Sequence, residues 1–296
     1  MQSIPPERRR KLRTWVQGEG PAELICSGAC EPARPLLDLA SNDYLGLSKH
    51  PKLREAVAAI INTDGVGAGA SRLITGSRPI HKELEENLAE WLGQESVLLF
   101  PSGFQANLAA VIALANRHTT VYADRLIHHS LLIGVKASGA KLQRFAHNDL
   151  EDLERHLKQP RSQYLNNQPI VLTESLFSME GSSPAIQDMA ILCEKHGAKL
   201  LVDEAHSLGI MGSQGRGLCY DLSAPITILS GTFGKAFGSG GAFLASSKVT
   251  KENLLQTSGA FRYSTALAPP LTAAALAALK LIKENSDWGV KLQKRA

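Results

Sequence analysis

The chain is poor in the features that would place it outside ordinary globular proteins. Only four of its 296 residues are cysteine, and they do not form a framework. Cys26 and Cys30 lie close together, but Cys193 and Cys219 make no second ligand pair at zinc spacing. No metal site is therefore expected, and free thiols in a reducing compartment are the default. The opening "MQSIPPERRR" lacks the apolar core of a secretory leader. The most apolar late stretch, "LAPPLTAAALAALKLIK", is interrupted by Pro269, Pro270 and Lys280, so it reads as a packed helix and not a membrane span. A net charge of +4 gives no argument for nucleic acid or membrane as partner. The basic run "RRRKLR" at 8–13 reads as a solvated helical face or an arm for an anionic partner. These absences leave a cytoplasmic globular protein as the expectation.

What is present is a rhythm of short apolar runs and longer amphipathic ones. Strands are expected at 96–100, 120–124, 141–147, 169–175, 199–205, 226–231 and 241–246. Helical spacing fills 81–93, 105–117 and 186–197, the last ending in a histidine and a glycine. Continuous apolar strands joined by helical crossovers imply an α/β fold with a mostly parallel sheet covered on both faces. Such sheets bind ligands beyond the carboxyl ends of their strands.

The residues at those ends include one isolated lysine. In "ILSGTFGKAFGSGGAFLAS", residues 228–246, Lys235 is the only charge. A phosphate-binding P-loop is excluded, because Ala236 follows the lysine where Ser or Thr is needed. The remaining chemistry is a Schiff-base lysine, whose amine must be neutral and whose small neighbours admit a flat ring. If that ring is pyridoxal phosphate, its nitrogen needs a carboxylate partner, and Asp203 in "KLLVDEAH" suits this. Its phosphate needs N–H groups at a helix start, which Ser102, Gly103 and Phe104 of "PSGFQAN" supply. His128 in "DRLIHHSL" can stack on the ring, and His206 can reach its phenolic oxygen. "GVGAGA" at 65–70 fits a dinucleotide fingerprint but follows a helical stretch, so it reads as loop glycines.

Taken in order, "SNDYLGLS", "GAGASRLITG", "FPSGFQAN", "ADRLIHHSL", "TESLFSMEG", "LVDEAHSLGIMGSQGRG", "GTFGKAFGSGG" and "FRYSTALAPP" resemble the α-oxoamine synthases, fold-type I pyridoxal-phosphate enzymes. The resemblance implies that Lys235 carries the cofactor, Asp203 pairs with its ring nitrogen, His206 bonds its ring oxygen and His128 stacks on it and meets substrate. It further implies that Ser178, Thr232 and the Gly103–Phe104 backbone anchor the cofactor, and that Asn42 and, less well aligned, Arg13 bind substrate. Ser264 and Thr265 would reach the phosphate of a partner subunit, making a homodimer with shared active sites. The implied reaction is acyl transfer: L-alanine condenses with a pimeloyl thioester, on CoA or acyl carrier protein, with loss of CO₂, in biotin synthesis. A sister reaction of glycine with a short acyl-CoA is the alternative. The resemblance divides the chain into an N-terminal segment at 1–45, a cofactor-binding large domain at 46–285 and the start of a small C-terminal domain at 286–296. The family's remaining small domain, with its carboxylate-gripping arginine, is expected to be missing, which leaves cofactor binding with little or no turnover as a further alternative.

Overall fold

A computed structural model of the chain describes residues 5, 8–18, 22–27, 35–159 and 168–296. The chain divides into two compact units, residues 1–42 and residues 43–296.

The first unit holds a three-stranded antiparallel sheet that the sequence patterning did not suggest. Its strands are β1 (Thr14–Gln17), β2 (Glu23–Ser27) and β3 (Leu36–Leu37). Trp15 pairs with Cys26 and Val16 with Ile25. Trp15 and Val16 are exposed, which is why no alternating apolar face marks β1 in the sequence. The basic run at 8–13 is exposed as expected, but it is not helical. Cys26 is disulfide-bonded, which corrects the expectation of free thiols throughout. Cys193 and Cys219 are free and buried, and Cys30 lies outside the described residues.

The second unit is built on seven strands: β4 (Ser96–Phe100), β5 (Thr120–Asp124), β6 (Lys141–Phe145), β7 (Ile170–Glu174), β8 (Lys199–Asp203), β9 (Ile228–Thr232) and β10 (Ala242–Ser246). Their order is β4-β10-β9-β8-β7-β5-β6. Strands β9, β8, β7, β5 and β6 run parallel, and β10 is antiparallel to both its neighbours. All seven occupy the apolar runs singled out above. Strands β4, β5, β7 and β10 are buried at every position. Edge strand β6 is mostly exposed, which explains its mixed sequence "KLQRF".

Successive side chains on a strand face opposite sides of the sheet, and each side has its own core. Val171, Leu200 and Val202 join one cluster with Leu84, Leu88 and Trp91 of α2 (Pro79–Leu92), Met189 of α6 (Ile186–Lys195) and Leu279 of α9 (Pro269–Glu284). Ile170, Leu172 and Leu201 join the other, with Ala106, Ala110 and Val111 of α3 (Gly103–Leu114), Leu131 and Val135 of α4 (His129–Ser138), and Leu254 of α7 (Lys248–Thr257). Helix α1 (Pro51–Asp64) packs along α9. The short α5 (Leu150–Leu157) and α8 (Gly259–Arg262) fill the rim, and Leu153 and Phe261 are their buried anchors. Helix α10 (Trp288–Arg295) sets Gly289 against the Ile210 backbone, where an added Cβ would lie 2.3 Å from the carbonyl oxygen. The glycines at 65–70 form a loop after α1, as the failed dinucleotide pattern implied.

Candidate active site

The parallel strands end on one rim, and the chemistry gathers there. Strand β9 hands over to β10 through a loop at 233–241 that carries Lys235. Gly238 in this loop has φ +61°, and a Cβ there would lie 2.3 Å from the Ser48 nitrogen. The loop therefore closes against 47–48 only because this position is glycine. Phe233, Ala236 and Phe237 are buried around the half-buried lysine. Burial pushes the Lys235 amine below its ordinary value, against the opposing pull of Asp203 and Glu174. The shift favours the neutral, nucleophilic form.

Asp203 ends β8 and is 6% exposed. Its Oδ1 accepts from Ala205 N–H at 2.9 Å and its Oδ2 from Asn107 Nδ2 at 2.7 Å. The next residue, Glu204, turns away from the rim. Its Oε1 accepts from Leu218 and Cys219 N–H and from Ser207 Oγ, and burial raises its pKa. Gly217 lies against it at φ +87°, where a Cβ would come 2.2 Å from Oε2. Glu204 thus ties down the loop 205–219 that presents His206.

His206 is driven to about 4 by burial, then by the charge of Lys235, with His128 adding and Asp203 opposing. It is neutral at neutral pH. The Tyr44 hydroxyl lies 2.7 Å from His206 Nδ1, and burial raises the tyrosine pKa, so it keeps its proton. With Tyr44 donating, the His206 proton sits on Nε2. Glu174, at the end of β7, is pushed to about 8 by burial and then by Asp203, while the His128 backbone N–H and Lys235 oppose the shift. Lys235, Asp203, His206, His128 and Glu174 therefore form one electrostatic cluster.

The anchoring residues surround it unevenly. Ser102 caps α3, its Oγ accepting from Gln105 N–H at 3.3 Å. Ala106 N–H returns to Ser102 O, so the Gly103 and Phe104 N–H groups are the remaining first-turn donors. A Cβ on Gly103 would sit 3.9 Å from the Thr232 side chain, which places Thr232 beside this turn. Thr232 Oγ1 donates to Gly241 O and accepts from Gly234 N–H, bracing both ends of the lysine loop. Ser264 Oγ accepts from Gln105 Nε2 of its own chain at 2.9 Å, and Thr265 pairs with Ser71. Ser178 is exposed in the turn after β7. Arg13 and Asn42 belong to the N-terminal unit.

Four members of the rim had no role in the sequence reading: Tyr44, Asn107, Ser130 and Glu174. Asn107 left a usable signal, a lone amide among the apolar residues 106–114 of α3.

The donor set fits pyridoxal phosphate. It offers a half-buried amine shifted toward neutrality, a buried carboxylate oriented by two donors, a neutral imidazole and a capped helix start beside a threonine. The family model of the class I and II aminotransferases matches residues 34–296. The 8-amino-7-oxononanoate synthase of Acidithiobacillus ferrooxidans is 44% identical over 254 residues, 85% of this chain and 64% of that protein. The enzyme of the same name from Methylococcus capsulatus is 41% identical over 96% of this chain and 72% of its own length. The chain thus spans less than two thirds of the A. ferrooxidans relative. A serine palmitoyltransferase structure from S. paucimobilis with a bound PLP–myriocin aldimine superposes with TM-score 0.88 at 27% identity, over 96% of this chain and 70% of that one. The 8-amino-7-oxononanoate synthase of Francisella tularensis superposes with TM-score 0.73 at 31% identity, over 86% of this chain and 71% of that one.

Proposed function

Because the chain belongs to the class I and II aminotransferase family and is related to 8-amino-7-oxononanoate synthases, we propose that it binds pyridoxal phosphate and condenses L-alanine with a pimeloyl thioester. The observation that carries the reading is the cluster of depressed Lys235, doubly hydrogen-bonded Asp203 and neutral His206 on one strand-end rim.

When bound, the cofactor supplies an aldehyde for an amine and a ring that accepts electrons from a carbanion. Lys235 would hold the cofactor through Nζ, and its amine would take the proton from the alanine α-carbon. Asp203 places its negative charge for the protonated ring nitrogen, held in one orientation by Asn107 and Ala205. His206 would offer an Nε2 proton to the ring oxygen, and His128 would stack on the ring. The Gly103 and Phe104 N–H groups, with Ser178 and Thr232, receive the phosphate. Ser264 and Thr265 serve the partner's site in a homodimer. The condensation joins the alanine α-carbon to the pimeloyl carbonyl carbon and breaks the C–S bond. The thiol of CoA or acyl carrier protein leaves, CO₂ follows, and a proton returns to give 8-amino-7-oxononanoate.

A second reading, the sister condensation of glycine with a short acyl-CoA, would use the same Lys235, Asp203 and His206 rim and differ only in its substrates. The test is to add pyridoxal phosphate, fix the adduct with borohydride and map it. L-Alanine with pimeloyl-CoA or pimeloyl-acyl carrier protein is then compared with glycine and acetyl-CoA. Fixation at Lys235 with product only from L-alanine supports the reading. Product only from glycine replaces it with the sister reaction. Fixation without either product leaves a cofactor-binding chain and overturns the condensation.

A further inference from the structure

Asn107 and Ser130 are 3% and 0% exposed, deep beneath the rim. Asn107 stands among Ala106, Ala109, Ala110 and Val111 on α3, and Ser130 opens α4. Buried polar side chains in such surroundings persist when their hydrogen bonds are made. Asn107 Nδ2 lies 2.7 Å from Asp203 Oδ2 and 2.9 Å from Ser130 Oγ. Ser130 Oγ lies 2.7 Å from His128 Nδ1, and the Ser130 N–H lies 3.3 Å from the same nitrogen.

The direction of this chain is set from its acidic end. A carboxylate only accepts, so the amide must turn its NH₂ group toward Asp203. The second amide proton then goes to Ser130 Oγ. That hydroxyl, having accepted, has its own proton to give to His128 Nδ1. The Ser130 backbone N–H points at the same atom, which only an unprotonated Nδ1 can receive. With both donors on Nδ1, the ring proton of His128 is placed on Nε2. Asn107 Oδ1 has no partner, although it is buried. Flipping the amide would aim that oxygen at a carboxylate, so the bare acceptor is the consequence of serving Asp203 and Ser130 together.

We propose that Asn107 and Ser130 are positioning residues that tie Asp203 and His128 into one hydrogen-bonded relay, orienting the acid for the cofactor's ring nitrogen and the imidazole for its ring face as a unit. The relay lies within the protein, while its use rests on the pyridoxal phosphate reading. Networks of this kind act together, so deleting either link should disturb the far end.

The first arm uses cofactor-free protein labelled with ¹⁵N-histidine, with His128→Asn to assign the signal. Wild type should show the Nε2–H tautomer. Ser130→Ala should move the Nδ1 resonance, and Asn107→Ala should move it too, although Asn107 does not touch His128. Unchanged His128 signals in Asn107→Ala would overturn the relay. The second arm uses protein loaded with pyridoxal phosphate. Each single variant should lose about tenfold in cofactor affinity and alter the visible circular dichroism. The double variant should lose little more than the worse single one, and Ser130→Thr, which keeps the hydroxyl, should restore the signal. Additive losses would mean two independent contacts and would also overturn it. If Asn107→Ala fails to fold, Ser130→Ala decides alone: altered dichroism with a wild-type melting curve supports the relay, and wild-type dichroism ends it. Absence of a visible band in the wild-type protein would sink the cofactor reading, and the imidazole arm would still decide the relay.

Discussion

The ends of β7 and β8 are neighbours in register, Glu174 opposite Asp203, and both side chains are buried. Their surroundings differ. Asp203 receives Asn107 Nδ2 and Ala205 N–H. Glu174 has the His128 backbone N–H and faces Asp203 and Asp124, and it rises to about 8. Two carboxyls at equal depth on adjacent strands are thus given different work. One is held in a single orientation by two donors. The other holds its proton at neutral pH and spares Asp203 a second charge beside it.

The severest way to break this comparison is to remove the amine of Lys235, which both carboxyls face. Lys235→Ala should abolish the borohydride-fixed adduct and all product formation, read by peptide mapping and product analysis. An adduct on another lysine would remove Lys235 from its place.

Asp203→Asn keeps the shape and removes the charge. Exchange of the alanine α-proton should fall by about a hundredfold or more, because an unprotonated ring accepts electrons poorly. Cofactor affinity should fall less. Glu174→Gln should act differently, since the residue it replaces is already protonated at pH 7. Exchange should stay within a few-fold of wild type. Its effect belongs to stability. The folded carboxyl titrates near 8 and the unfolded one near its ordinary 4.5, so the unfolded chain releases its proton first as pH rises. Glu174 favours the fold fully below the unfolded value and loses that contribution as pH rises through about 8. Glu174→Gln should therefore be more stable than wild type at pH 8–9, by on the order of 1–3 kcal/mol in a denaturant titration, with the gap closing toward pH 5. A gap independent of pH would place Glu174 in the ionised state throughout.

The same comparison explains what was legible beforehand. Strands β4 to β10 were readable because a sheet covered on both faces demands unbroken apolar runs, and the strand-end rule then pointed to Asp203, His206 and Lys235. The N-terminal sheet was not readable, because Leu36, Leu37, Trp15 and Val16 are exposed and make no alternating stripe. Glu174 was visible as a strand end but not as a protonated acid, since its state depends on Asp203 and Asp124, which reach it across the sheet. Asn107 and Tyr44 meet their partners across long stretches of chain, Asn107 with Asp203 and Tyr44 with His206. No spacing rule encodes such contacts.

The mildest test sets a neutral pair against the ionic one. Tyr44 and His206 share a single hydrogen bond of 2.7 Å between groups uncharged at pH 7. Neutral hydrogen bonds contribute about 0.5–1.5 kcal/mol, roughly half of what a bond to a charged group contributes. Tyr44→Phe keeps the ring and removes only the hydroxyl. It should lower stability at pH 7 by about 1 kcal/mol in a denaturant titration. It should also free His206 Nδ1, so the imidazole divides its proton between the two nitrogens and offers Nε2–H to the ring oxygen only part of the time. Turnover should fall a few-fold with KM little changed, while Asp203→Asn falls far further. A loss in Tyr44→Phe as large as that in Asp203→Asn would mean that the neutral imidazole, and not the β8 carboxylate, is the main orienting group of the rim.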